Sequence, residues 1–224
     1  SILDILLNAY AIYDDQGMMT EKGTITVNGQ SADPEFGHTF VIAPNTDVEI
    51  GFVPNSDKAW SLETATVNGT DVTTALVDGK YTIKNINGNQ LVKATWKQGK
   101  TYTLNIGGFN NGYISVNGTD IYGSTTYTYA EGQNITLVIQ PNDGYGISSF
   151  QLNYTDEKNN LTNNGDGTYS YTFTLTADTE VYIYFDKKWS LTTTFNAGGS
   201  VTIGGESVTS GTVKEIVGAM SEGS

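Results

Sequence analysis

The chain repeats itself, and the spacing of the repeat limits what it can fold into. Gly23-Thr24-Ile25-Thr26-Val27-Asn28-Gly29 returns 89 residues later as Gly112-Tyr113-Ile114-Ser115-Val116-Asn117-Gly118, and 87 residues after that as Gly199-Ser200-Val201-Thr202-Ile203-Gly204-Gly205. A second stretch, Val48-Glu49-Ile50-Gly51-Phe52-Val53-Pro54, recurs as Ile135-Thr136-Leu137-Val138-Ile139-Gln140-Pro141, and Asp78-Gly79-Lys80-Tyr81 recurs as Asp166-Gly167-Thr168-Tyr169. Each copy closes on an alternating segment, Val92-Lys93-Ala94-Thr95-Trp96 in the first and Val181-Tyr182-Ile183-Tyr184-Phe185 in the second. Self-similarity at a fixed period marks one supersecondary unit copied along the chain. The 224 residues therefore divide into two whole modules and part of a third, not one large domain.

Within a copy, apolar residues alternate with Thr, Ser and Asn, the period of strands that bury one face. Asn28-Gly29 and Asn117-Gly118 are dipeptides that accept positive φ and close two-residue hairpins, and Asn164-Gly165-Asp166-Gly167 is a further turn signal. The expected class is all-β: tandem small antiparallel β-sheet or sandwich modules, Ig-like or β-grasp-like, preceded by a short N-terminal helix. That helix is read over residues 2–12, where Ile2, Ile5, Leu6, Ala9, Ile12 and Tyr13 fall at helical spacing. The expected boundaries are 1–22 for the helical segment or the end of a preceding domain, 23–98 and 99–187 for the two modules, and 188–224 for an incomplete third. Gln98-Gly99-Lys100 and Lys187-Lys188 serve as linkers. The core is expected at Val27, Ile50, Phe52, Val92 and Trp96 in one module and at Val116, Leu137, Ile139, Val181 and Phe185 in the other. Leu191, Val201, Ile203 and Val213 of the last segment need cover from elsewhere, either from the second module or from a neighbouring chain that adds a strand.

Composition excludes much chemistry. All eleven basic residues are Lys, set against twenty-four acidic ones, for a formal charge of −13. A nucleic-acid partner needs a basic stripe to neutralise phosphates, so none is expected. With no cysteine, disulfides, thiolate metal sites and thiol nucleophiles are absent. No run approaches the roughly 20 apolar residues of a membrane helix, and no basic segment precedes an apolar one, so membrane insertion is not expected and the sequence reads as a mature chain.

Candidate sites are few. His38 is the only histidine, which leaves Ser–His–Asp catalysis and histidine metal clusters resting on one side chain in a turn. Asp14-Asp15, Asp143 and Asp156-Glu157 lie in expected loops, where carboxylates commonly build turns. Asp156, Asn159, Asn160, Asn163, Asn164 and Asp166 could gather oxygens for calcium, but without the EF-hand spacing. No enzyme activity, cofactor or metal is expected. On the closing strands, Lys93 and Thr95 of the first copy are replaced by Tyr182 and Tyr184 in the second. A tyrosine pair offers amphipathic contact area for a sugar or a protein, so Tyr182 and Tyr184 are the candidate ligand-binding residues.

The glycine-led strand ending in Asn-Gly, the Glu131-Gly132 turn, the strand ending at Pro141, Gly144-Tyr145-Gly146-Ile147 and the strand from Asp178 to Phe185 resemble the divergent B-repeats of internalin-like bacterial surface proteins. The likeness covers roughly residues 23–224. Phe150 stands where that family often has Trp, and Ala43-Pro44-Asn45-Thr46 replaces the Glu-Gly turn in the first copy. The resemblance implies a non-catalytic extracellular or cell-surface segment acting as a spacer or adhesin of a secreted or surface-anchored bacterial protein. Its expected partner is a glycan or a protein on a host or neighbouring cell. The alternatives are a carbohydrate-binding module attached to a polysaccharide-acting enzyme and a fimbrial or phage structural subunit. Strand-mediated self-association through residues 189–224 is a further expectation.

Overall fold

The computed structural model describes residues 5–11, 22–32 and 37–218. They form β structure throughout, in two units whose main division lies between Thr101 and Tyr102. The first unit contains β1 (Ile5–Ala11), β2 (Gly23–Val27), β3 (Gln30–Ser31), β4 (His38–Ile42), β5 (Val48–Pro54), β6 (Trp60–Val67), β7 (Thr70–Asp71), β8 (Lys80–Ile83) and β9 (Gln90–Gln98). They make two sheets, ordered β4-β1-β9-β6-β7 and β3-β2-β5-β8.

The second unit contains β10 (Thr101–Ile106), β11 (Gly112–Val116), β12 (Thr119–Ile121), β13 (Thr125–Ala130), β14 (Asn134–Pro141), β15 (Tyr145–Leu152), β16 (Thr155–Asp156), β17 (Thr162–Asn163), β18 (Tyr169–Thr174) and β19 (Thr179–Thr192). Its sheets run β13-β10-β19-β15-β16 and β12-β11-β14-β18-β17, the same order element for element with β17 added at an edge. Even the irregularities correspond, since the ladder slips by one residue at Glu63 in β6 and at Ser148 in β15. One pairing departs from the expected antiparallel pattern. The first and last strands of each unit lie side by side and parallel, β1 with β9 and β10 with β19.

The two sheets of each unit face one another across an apolar layer. In the first unit, Leu7, Ala9, Val92, Ala94 and Trp96 from one sheet meet Ile25, Val27, Ile50 and Phe52 from the other in a single buried cluster. All ten residues expected in the two cores are buried, from Ile50, Val92, Leu137, Ile139 and Val181 at 0% exposure to Trp96 at 8%. The glycine that opens each repeated strand has a packing role. A Cβ on Gly23 would fall 2.5 Å from the ring of Trp96, and one on Gly112 would fall 2.7 Å from the ring of Phe185 and 2.8 Å from the Gln140 carbonyl. The closing aromatic of one sheet thus lies flat on a glycine of the other.

The expected N-terminal helix is a strand. Residues 5–11 form β1, which sits inside the first sheet between β4 and β9. Ile5, Leu7 and Ala9 are buried while Leu6 and Tyr10 point out, which is period two. A short apolar run carries both periods, and the ladder to β9 decides between them by satisfying the backbone on both edges. Ile2, Ile12 and Tyr13, which completed the helical pattern, lie outside the described residues. The first unit therefore begins before residue 23.

The linker expected at Lys187-Lys188 is not a break either. β19 continues through both lysines for 14 residues. Its end, Lys188–Thr192, pairs with β22 (Val213–Val217), which follows the hairpin of β20 (Val201–Ile203) and β21 (Glu206–Val208). Val217 packs where Gly146 leaves room, since a Cβ there would lie 2.5 Å from its Cγ2, and the Trp189 indole donates to the Gly218 carbonyl at 3.2 Å. Residues 188–218 are thus joined to the second unit by a shared strand. Leu191 at 39% and Val213 at 59% exposure remain uncovered among the described residues.

Asparagine fixes the hairpins in a way that turn preference alone does not convey. Asn28, Asn68, Asn117 and Asn153 all have φ between 46° and 51° at the first turn position. In each case the side-chain Oδ1 accepts a backbone N–H on the next strand over, from Glu49, Leu91, Thr136 and Glu180 at 2.7–2.9 Å. The asparagine's own N–H donates to the carbonyl of that same residue at 2.8–2.9 Å. Each turn is clamped to a third strand.

Two stability measurements check this account. Replacing Asn117 by Gly keeps the positive φ but removes the side-chain acceptor, and should cost about 0.5–1.5 kcal/mol in urea unfolding; Asn117→Ala adds the steric penalty of the left-handed region, roughly 1–2 kcal/mol more. An Asn117→Gly protein as stable as the parent would show that the clamp contributes nothing. Trp96→Ala should cost about 3–5 kcal/mol. Trp96→Phe should cost much less, because the Trp96 Nε1 is buried without a partner among the described residues, and the second unit places Phe185 on the same glycine seat.

Candidate functional site

Side chains that point away from the core are where the two units differ. On the outer face of β19, Glu180, Tyr182 and Tyr184 alternate with the buried Val181, Ile183 and Phe185. Tyr182 is half-buried. Its ring lies over Gly107, where a Cβ would come within 2.7 Å, and its hydroxyl donates to Glu180 Oε2 at 3.1 Å. Tyr184 is 51% exposed and stands one pleat further along the strand, outside the hollow described next.

The residue that joins Tyr182 is Tyr154, which the sequence reading did not single out. Its ring stacks on Tyr182 with centroids 5.4 Å apart and planes at 30°, and the two hydroxyls are 3.3 Å apart. Tyr154 follows Asn153 in the β15–β16 turn at φ 65°. The matching turn of the first unit is Asn68-Gly69, with Gly69 at φ 79°. Glycine enters that region freely, whereas a bulky side chain sets its Cβ against the following carbonyl. The signal was in the sequence as an Asn-aromatic dipeptide in a slot where the other copy has Asn-Gly.

Tyr154 forms one wall of a shallow hollow of about 620 Å³, shared with Thr103, Asn105, Thr126, Asp178 and Glu180. The floor is held in place from beneath. Asp178 Oδ1 accepts the Thr103 N–H at 2.9 Å, the Thr126 hydroxyl donates to Asn105 Oδ1 at 2.9 Å, and the Asn153 clamp takes the Glu180 N–H. These bonds use one polar atom of each side chain, and Asn105, Asn153, Asp178 and Glu180 all line the hollow. The contact with Tyr182, and then the Glu180 carboxylate, raise the Tyr154 hydroxyl well above the ordinary phenol range, because both oppose a phenolate there.

The other sequence candidates are placed as follows. His38 opens β4 instead of lying in a turn, is exposed, and stacks on Phe40 at 4.2 Å. The loop oxygens proposed for calcium serve turns: Asp156 Oδ1 accepts the Lys158 N–H, Asn163 Oδ1 the Gly165 N–H, Asn164 Oδ1 the Ser170 hydroxyl, and Asp166 Oδ1 both the N–H and the hydroxyl of Thr168. Asn160 donates to Glu157. Asp14-Asp15 lies outside the described residues. A second hollow of about 500 Å³ borders Asp143, Tyr145, Lys158 and Tyr169, and the Lys188–Glu215 ion pair at 3.2 Å closes one side of it. Among the described residues, no helix is long and apolar enough to cross a membrane.

No protein-family model and no curated protein matches the chain.

Two measurements test the geometry of the tyrosine pair. Tyr154→Gly restores the turn of the first unit and should leave the melting temperature equal to or above that of the parent; a clear fall would show that ring stacking holds the turn. In alkaline titration the Tyr154 phenol should ionise above the ordinary phenol range, and Tyr182→Phe or Glu180→Gln should lower it. A phenol raised in the folded state binds its proton more tightly there. The associated stability is therefore present below the unfolded value and is lost as pH rises through the folded one.

Proposed function

We propose that this chain is a non-catalytic segment of a secreted or surface-displayed bacterial protein, built as a tandem repeat that acts as a spacer and adhesive element outside the cell. One observation carries the reading. Two units with the same strand order follow one another with only Gly99 and Lys100 between β9 and β10, and a third strand pair continues from β19 without interruption. The same scaffold used twice, with its outer faces varied, is how a length-setting segment is extended while contact residues change. The likeness to internalin-type B-repeats supports the same reading, as does an acidic, cysteine-free composition suited to staying dispersed. The adhesive partner in this reading is a glycan or protein of a host or neighbouring cell. The uncovered Leu191, beside β22, and Val213, at its start, support self-association through residues 189–224.

Pulling single chains from both ends tests the spacer reading. Two dominant unfolding events are expected, each releasing on the order of 300 Å of chain, as about 90 extended residues would. One event for the whole chain, or unfolding at forces indistinguishable from an unstructured linker, would remove the spacer reading. Sedimentation of the full chain against a chain cut after Thr192 tests self-association: a mass that is monomeric in both cases excludes it.

A further inference from the structure

The hollow beside Tyr154 combines an exposed aromatic face with donors and acceptors set at fixed positions around it. Tyr154 is 71% exposed although it stacks on Tyr182, so one face of its ring is backed by protein and the other is open. In the hollow that Tyr154 lines, Asn105 and Asn153 contribute amide donors, while Asp178 and Glu180 contribute carboxylate acceptors. Each is tied down through its other polar atom by the Thr126, Glu180, Thr103 and Tyr182 bonds. The wall is preorganised, so little side-chain freedom remains to be lost when a ligand arrives.

The mixture of donors and acceptors selects the ligand. A simple cationic amine would use the carboxylates and the ring face, but its ammonium has no acceptor for the amide N–H groups. An anion would face Asp178 and Glu180. A neutral pyranose offers vicinal hydroxyls that each donate and accept, together with a C–H face that lies on an aromatic ring. A hollow of about 620 Å³ is within the roughly 300–1,000 Å³ usual for small-ligand sites, enough for one or two sugar units.

The first unit supplies the comparison. Asn8 and Asn68 stand at the positions of Asn105 and Asn153, and the Thr39 hydroxyl donates to Asn8 as Thr126 does to Asn105. Gly69 replaces Tyr154, Leu91 replaces Glu180 and Lys93 replaces Tyr182. The scaffold is kept, and the aromatic wall and its carboxylate belong to the second unit alone.

We propose that the second unit binds a neutral saccharide, with a pyranose ring stacked on the open face of Tyr154 and its hydroxyls held by Asn105, Asp178 and Glu180. The proposal rests on the adhesive half of the function above and names its ligand class. Tyr182 is a positioning residue that holds Tyr154.

The test is affinity electrophoresis of the full chain in gels containing soluble β-glucan, mannan, xylan, galactan or starch, followed by titration with oligosaccharides of whichever polymer retards it. Retardation by at least one polymer is expected. Tyr154→Gly should weaken binding about tenfold or more, the loss of one aromatic contact with its hydroxyl. Tyr154→Phe should stay within about threefold of the parent, because the ring face remains. Tyr154→Gly carries the first unit's own turn residue, so the melting curve separates lost binding from lost folding. Three results would overturn the proposal: no retardation in any of the five polymers, a Tyr154→Gly protein that binds like the parent, or retention by polylysine but by no neutral polymer. None of these changes the pulling experiment, so a failed saccharide site and a failed spacer reading are told apart.

Discussion

Everything in each unit hangs on how a two-residue turn is tied to a strand it does not belong to. In an ordinary hairpin, asparagine is chosen because it tolerates positive φ, and its side chain faces water. Here it spans sideways, giving its N–H to one carbonyl and taking one N–H from the same residue at 2.7–2.9 Å. In effect the turn contributes one more rung to the neighbouring ladder. A slip of one residue would break both bonds at once and carry the apolar face of the strand to solvent, so the clamp fixes register as well as position. The chain uses it on both sheets: Asn28 and Asn117 tie β2 and β11 to β5 and β14, while Asn68 and Asn153 tie β6 and β15 to β9 and β19.

With register fixed, the sheets need only the right shape to close on each other. The glycine seats under Trp96 and Phe185 provide it, because an aromatic ring can lie flat on the opposite sheet only where no Cβ intervenes. This is why the repeated motif begins with glycine rather than with another β-former. The first unit uses the larger indole and leaves its Nε1 buried and unpartnered among the described residues, while the second uses phenylalanine and has no such atom. Packing there is tight enough to matter but loose enough to take either ring.

Much of this was legible in the sequence. Alternation over short runs gave the strands, Asn-Gly gave two of the hairpins, and the repeated apolar positions gave ten core residues that are all buried. Three things were not legible, each for a local reason. Residues 5–11 are too few to separate a helical stripe from a strand, and their neighbour in the sheet is β9, more than eighty residues away. Lys187-Lys188 looks like a linker because charge usually marks one, yet β19 runs through both residues, Lys187 pairing with Tyr145 of β15 and Lys188 with Val217 of β22 while their side chains stay exposed. The Tyr182–Tyr154 pair was half seen: Tyr182 stands out by comparing the copies, but its partner comes from a turn, and aromatic residues are not expected in the left-handed region.

That last exception follows from the clamp. A tyrosine at φ 65° is disfavoured wherever the chain is free to relax, and the second position of a two-residue turn is normally free to relax by changing turn type. Asn153 removes that freedom. Its two bonds to Glu180 hold the turn in the one conformation that also points the next side chain across β19, onto Tyr182. The same residue that accepts the clamp, Glu180, also receives the Tyr182 hydroxyl, so backbone register and aromatic wall are set by one contact. The first unit has the clamp without the tyrosine, through Asn68 and Leu91. The scaffold therefore comes first in the physical order of causes: an over-determined turn makes a strained residue tolerable, and only then can that residue be given to a surface.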